Sequence, residues 1–96
     1  MTIDAYTTSV MSARSGRHIA FIKLETPVVS LQVNQRLLFT IIKGFRTFLV
    51  KYLETHHFII VGSNNQEYFI RIASFPTERT GRGYIDIDSP VPLTKV

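Results

Sequence analysis

The stretch Gln35 to His57, QRLLFTIIKGFRTFLVKYLETHH, sets the terms for the rest of the chain. Leu38, Ile41, Ile42, Phe45, Phe48, Leu49, Tyr52 and Leu53 recur at three- and four-residue steps, with Arg36, Thr40, Lys43, Thr47, Lys51 and Glu54 on the other side. That spacing predicts one apolar stripe along a long helix. Asn34 stands where an N-cap side chain would accept from an orphaned helix N–H. Gly44 in mid-helix costs about 1 kcal/mol relative to Ala, whereas each large apolar side chain buried contributes about 1.5 to 3 kcal/mol. Such a helix depends on a surface to lie on, so the remaining sequence is expected to supply a sheet.

The flanking segments have strand character. Ala5 to Ser12 is rich in Thr, Tyr and Val; Arg14-Ser15-Gly16-Arg17 reads as a turn; His18 to Glu25 runs HIAFIKLE. Pro27 then precedes a short third strand, Val28 to Val33, leading into the helix cap. Beyond the helix, Phe58 to Val61 and Glu67 to Ser74 flank the turn-rich Gly62 to Gln66, which predicts a hairpin. Thr77 to Gly83 is a polar loop, and Tyr84 to Asp88 alternates as a half-buried strand does.

The two ends of the chain also match each other. Arg14-Ser15-Gly16-Arg17 recurs as Arg79-Thr80-Gly81-Arg82, and AFIKLETPVVSLQV (Ala20 to Val33) aligns with GYIDIDSPVPLTKV (Gly83 to Val96). Phe21 meets Tyr84, Ile22 meets Ile85, Leu24 meets Ile87 and Pro27 meets Pro90, once two residues between turn and strand are skipped. An internal repeat is the simplest account; chance likeness between two hairpins of similar composition is the alternative. A repeat makes 1–57 a βββα unit and 58–96 a βββ partial copy within a single domain, 1–96. The second helix is then absent from the chain, or a partner covers that half of the sheet.

RSGRHIAFIKLE followed by VVSLQVNQRLLFTIIKGFRTFLVKYLE resembles one repeat of the PUR (Pur-alpha) family, in which a basic Gly-Arg turn opens a strand and a later strand leads into an amphipathic helix. The pattern is also similar to Whirly proteins and related single-stranded-DNA-binding coactivators, although the Whirly lysine-glycine signature is absent. The resemblance covers about Thr7 to Glu54. It implies binding of single-stranded DNA or RNA on a sheet surface, with dimerisation or pairing of repeats through the helices.

The charge balance agrees in kind. Eleven Lys and Arg against seven Asp and Glu give a net charge of +4 and a pI near 9.8, which favours a polyanionic partner. Single-strand binders combine cations that follow the phosphates with aromatic faces that stack on bases. Strand alternation places Arg17, Ile19, Phe21 and Lys23 on one face, and Phe69 with Arg71 on another. The candidate nucleic-acid-binding residues are therefore Arg14, Arg17, Phe21, Lys23, Phe69, Arg71, Arg79, Arg82 and Tyr84. Any of these aromatics can instead be core, and either Arg turn a plain solvated turn.

Other chemistries find little support. Asp86 and Asp88 share a strand face with Tyr84 and can hold Mg²⁺ or divide acid and base roles, but solvent-facing charge on an edge strand explains them as well. His56 and His57 are adjacent, diverge by about 100° on a helix and make a poor metal pair; His18 stands alone. No cysteine is present, so disulfides and thiolate sites are excluded. Nothing pairs a nucleophile with a base and an orienting group, and neither Arg turn leads into a helix as a phosphate-cradling loop does. No enzymatic activity, cofactor or metal is expected. The N-terminus lacks the basic and apolar regions of a secretory signal, and no run reaches membrane-spanning length, so a soluble intracellular protein without membrane association is expected.

The sequence thus predicts an α+β domain, a twisted antiparallel sheet with one long helix packed across it. The expected function is non-enzymatic, largely sequence-tolerant binding of single-stranded nucleic acid by a homodimer. The alternative is a protein-interaction or assembly module, such as a small viral or phage modulator of host machinery.

Overall fold

A computed structural model describes residues 5–55, 57–62, 65–77 and 79–92. Outside these lie His56, Ser63 and Asn64 of the expected turn, Glu78, and both ends, including the last residues of the repeat match.

Six strands, β1 (Thr7–Ser12), β2 (His18–Leu24), β3 (Arg36–Lys43), β4 (Phe58–Val61), β5 (Glu67–Ser74) and β6 (Arg82–Pro90), form a closed antiparallel barrel in the order β1-β2-β3-β6-β5-β4. Among the described residues a single α-helix, α1 (Phe45–Glu54), joins β3 to β4, and a short 3₁₀ turn spans Val28–Ser30. The closed barrel overturns the open twisted sheet with a helix packed across it. β1 and β4, which an open sheet would leave as edges, pair with each other through Val10↔Ile60 and Ser12↔Phe58. Closure removes the exposed backbone edges, and no uncovered sheet half is left waiting for a second helix.

The long helix over 35–57 is corrected with it. Its first third is β3, whose Leu37 and Phe39 point inward at 1% exposure while Arg36 and Thr40 face out. Thr40, Ile41 and Ile42 are β-branched, which favours extended backbone, and β3 pairs on both sides, Leu24↔Phe39 with β2 and Leu38↔Tyr84 with β6. A helix there would leave β2 and β6 each unpaired along one edge and the barrel open. Asn34 is no N-cap: its φ of 67° is left-handed, and its N–H donates to Ile87 O at 2.7 Å as the chain enters β3. Val28–Val33 is likewise a 3₁₀ turn and loop, so the third strand is Arg36–Lys43.

Gly44 makes the switch from strand to helix with φ 94°, and its carbonyl accepts from Phe48 N–H at 2.9 Å. Phe48, fully buried, turns from α1 into the barrel mouth, where its ring lies 5.0 Å from Phe58 and 5.3 Å from Phe75, both edge-on. Tyr52 stacks on Phe75 at 4.7 Å. Such ring pairs add about 0.5 to 1.5 kcal/mol each beyond the area they bury. The helix thus plugs the barrel. The interior below it is filled by Val10, Ile22, Leu24, Leu37, Ile60, Ile70, Ile85 and Ile87.

Alternation fails at one point in β2. Val10 pairs with Ala20 but Met11 with His18, so a bulge at Ile19 turns both Ile19 and Ala20 inward. Ile19 therefore leaves the face it was expected to share with Phe21 and Lys23. Among the described residues no helix is long and apolar enough to cross a membrane.

Candidate nucleic-acid interface at one barrel mouth

The repeat has a structural counterpart in two turns of the same construction. In Ser12-Ala13-Arg14-Ser15-Gly16-Arg17, Gly16 N–H donates to Ser12 O at 2.8 Å, Ser15 N–H to Ser12 Oγ at 3.4 Å and Arg17 N–H to Ser15 Oγ at 3.3 Å. In the turn from Thr77 to Arg82, Gly81 N–H donates to Thr77 O at 2.7 Å, Thr80 N–H to Thr77 Oγ1 at 3.1 Å and Arg82 N–H to Thr80 Oγ1 at 3.3 Å. Both glycines sit at positive φ, 72° and 64°, a region most side chains avoid. The hairpins are tied alike at their far ends, where Val28 N–H, after Pro27, donates to Ala5 O and Val91 N–H, after Pro90, to Glu67 O. The two residues skipped in the sequence match are His18 and the bulged Ile19.

Barrel topology sets these turns at the same mouth. β1–β2 and β5–β6 both turn there, and α1 crosses between them on its way from β3 to β4. The mouth carries Arg14, Arg17, Lys43, Arg46, Lys51, Arg79 and Arg82, seven of the chain's eleven Lys and Arg. Of the carboxylates, Glu54 lies 3.5 Å from Lys51 there, and Glu25 lines a groove with Arg82. Arg14, Arg17, Arg79 and Arg82 are all exposed. Farther from α1 the barrel holds Glu67, Asp86 and Asp88 against Arg36 and Arg71, while Lys23 and Glu25 share a shallow groove with Arg82 between the two groups. Concentrated charge of one sign around a mouth attracts polyanions and raises their local concentration.

The expected site residues divide between two places. Phe21 and Tyr84, matched in the repeat, both face outward at 41% and 45% exposure on the strands flanking β3. His18, hydrogen-bonded to Ser9 Oγ at 2.6 Å, holds its ring 4.5 Å from that of Phe21. Lys23, Thr40 and Arg82 form an outward row across β2, β3 and β6, through the pairs Lys23↔Thr40 and Thr40↔Arg82. Phe69 and Arg71 are not brought in. Phe69 is half-buried and pairs with Ile59 and Ser89 toward the far mouth.

Arg71 lines a shallow groove of about 490 Å³ with Asn34, Arg36, Asp86 and Asp88. Arg36 donates to both carboxylate oxygens of Asp86, Nε to Oδ1 at 2.7 Å and Nη2 to Oδ2 at 3.0 Å. That hydrogen bond, against a small desolvation cost and with added attraction from Arg36 and Arg71, holds Asp86 below the usual carboxylate range. The guanidinium of Arg36 is raised in turn by the hydrogen bond and charge of Asp86. Asp86 is thus an ion-pair partner. No group of three or more potential metal ligands occurs among the described residues.

Lys43 and Lys51 join the candidate site although the long-helix reading dispersed them along a solvent face, and Arg46, which that reading assigned to neither side, joins them. The third shared position of the turns, Ser12 with Thr77, was readable by extending the match two residues upstream. Comparison with family models, curated proteins and solved structures finds no match for this chain. The likeness to PUR and Whirly proteins therefore rests on the residues quoted for it alone.

Proposed function

We propose that the chain is a non-enzymatic binder of single-stranded nucleic acid, largely tolerant of sequence, which holds the phosphate backbone at the α1 mouth of the barrel. The observation that carries this reading is the pair of like-built Arg turns, one on each side of α1, within a mouth that collects most of the chain's cations. Phosphate contacts from arginine side chains position a strand without reading it, and outward Phe21 and Tyr84 offer faces on which bases stack. Stacking of that kind favours a single strand over a duplex, whose bases are already stacked on one another.

The test is fluorescence anisotropy with labelled single-stranded DNA and RNA across a salt series. Affinity should fall linearly in log salt, with a slope of about −0.7 per phosphate neutralised. An Arg17→Ala, Arg82→Ala variant should flatten that slope by about 1.4. Absence of binding at low salt contradicts the proposal.

A second reading, a protein-interaction module, is favoured by the exposure of Leu49, Val50 and Leu53 on α1, at 37%, 54% and 75%. It calls for association that is insensitive to salt and lost on Val50→Asp.

A further inference from the structure

The two turns share a backbone, yet they open onto different surroundings. On the β1–β2 side of α1, Ser12, Arg14, Ser15, Lys51, Glu54 and Thr55 line a small polar crevice of about 180 Å³. On the β5–β6 side, Phe45, Leu49, Val50, Phe75 and Pro76 line an apolar groove of about 570 Å³, with Arg46 among them. The helix sequence makes the difference. Thr47, Lys51 and Glu54 project on one flank of α1, and Leu49, Val50 and Leu53 on the other, with Phe45, Phe48 and Tyr52 facing inward between them.

We infer that the groove between α1 and the β5–β6 loop receives an unstacked base of the bound strand, while the crevice on the β1–β2 side takes backbone contacts only. This rests on the proposed function and adds to it which of the two clefts beside α1 receives a base. Charge complementarity selects the occupant. The groove is apolar along its walls but carries Arg46, and its lining segments run back to Lys43, two residues before Phe45, and on to Arg79, three after Pro76, so its ligand combines a flat, largely apolar body with an anionic chain. A nucleotide within a strand has that composition. A second copy of this chain does not, because docking it here would bring two cationic mouths together.

The experiment compares two probes of equal length and charge, a labelled oligothymidylate and its abasic counterpart, against wild type and a Leu49→Ser, Val50→Ser variant. Both substituted side chains are partly exposed, and far-UV circular dichroism checks that the variant folds. Wild type should bind the intact strand more tightly than the abasic one, by roughly 5- to 150-fold for each base engaged. In the variant that ratio should fall at least about fivefold, leaving what Phe21 and Tyr84 contribute, while affinity for the abasic strand stays the same. An unchanged ratio overturns the inference and leaves the proposed function standing; it is also the result expected if the groove were a peptide site. Failure of wild type to bind either probe at low salt overturns the proposed function itself.

Discussion

Gly44→Ala has opposite expected effects in the two folds the sequence allows. In a continuous helix over 35–57, replacing a mid-helix glycine would stabilise the protein by about 1 kcal/mol. In the barrel, Gly44 is the left-handed joint between β3 and α1 at φ 94°, where a non-glycine residue costs roughly 1 to 2 kcal/mol. The added Cβ would also lie 2.7 Å from Ile19 O and 3.1 Å from Ala20 Cα and Cβ, atoms fixed by the β2 bulge. Crowding of that kind adds about 1 to 3 kcal/mol. The sum, roughly 2 to 5 kcal/mol of destabilisation, corresponds to a melting temperature lower by on the order of 10 °C or more. Urea titration followed by far-UV circular dichroism measures it, with an unchanged slope confirming that the shift is one of stability. A midpoint equal to or above that of wild type would refute the strand-to-helix joint.

Phe48→Ala should remove the centre of the aromatic plug, which touches Phe58 and Phe75, and cost about 3 to 5 kcal/mol. That is a large share of the roughly 5 to 15 kcal/mol that holds a small domain together, so thermal melting should show a greatly lowered transition. Asp86→Asn should weaken the fold at neutral pH and not in strong acid. The folded-state pKa of Asp86 is depressed, so the stability it contributes is present above the unfolded aspartate pKa and is lost as pH falls through the folded value. Urea midpoints of wild type and variant should therefore converge on the acid side, and their neutral-pH gap should narrow as salt is raised. The gap should be modest, because Arg36 is 63% exposed.

What the sequence made legible was local. Phe58–Val61 and Glu67–Ser74 take the strand bounds expected from the turn between them, and β2 departs from its expected span only at Glu25. The likeness of the two turns was legible too, because a glycine at positive φ is a requirement of such a turn that the residues themselves display. The segment from Arg36 to Lys43 misled for a physical reason. Leu37, Leu38, Phe39, Ile41 and Ile42 satisfy a helical period and an extended run alike, and the choice was made by pairing with β2 and β6, partners distant in sequence. Reading Gly44 as an isolated weak spot in a helix, when it is a joint, followed from that error. The basic mouth was hidden for the same reason: the four turn arginines were individually visible, but only closure of the barrel places them with Lys43, Arg46 and Lys51 around one helix. Phe69 and Arg71 lie apart from the two turns because a shared strand face says nothing about which end of the barrel it lies toward.

The most direct measurement is mapping of backbone amide chemical shifts in ¹⁵N-labelled protein titrated with a short single-stranded oligonucleotide at low salt. The account predicts perturbations concentrated at the β1–β2 turn, α1 and the β5–β6 loop, extending along β2 and β6 to Phe21 and Tyr84. Perturbations centred instead on the opposite mouth, at residues 25–35 and at Gly62, Asn65 and Gln66, or none at all, would contradict it.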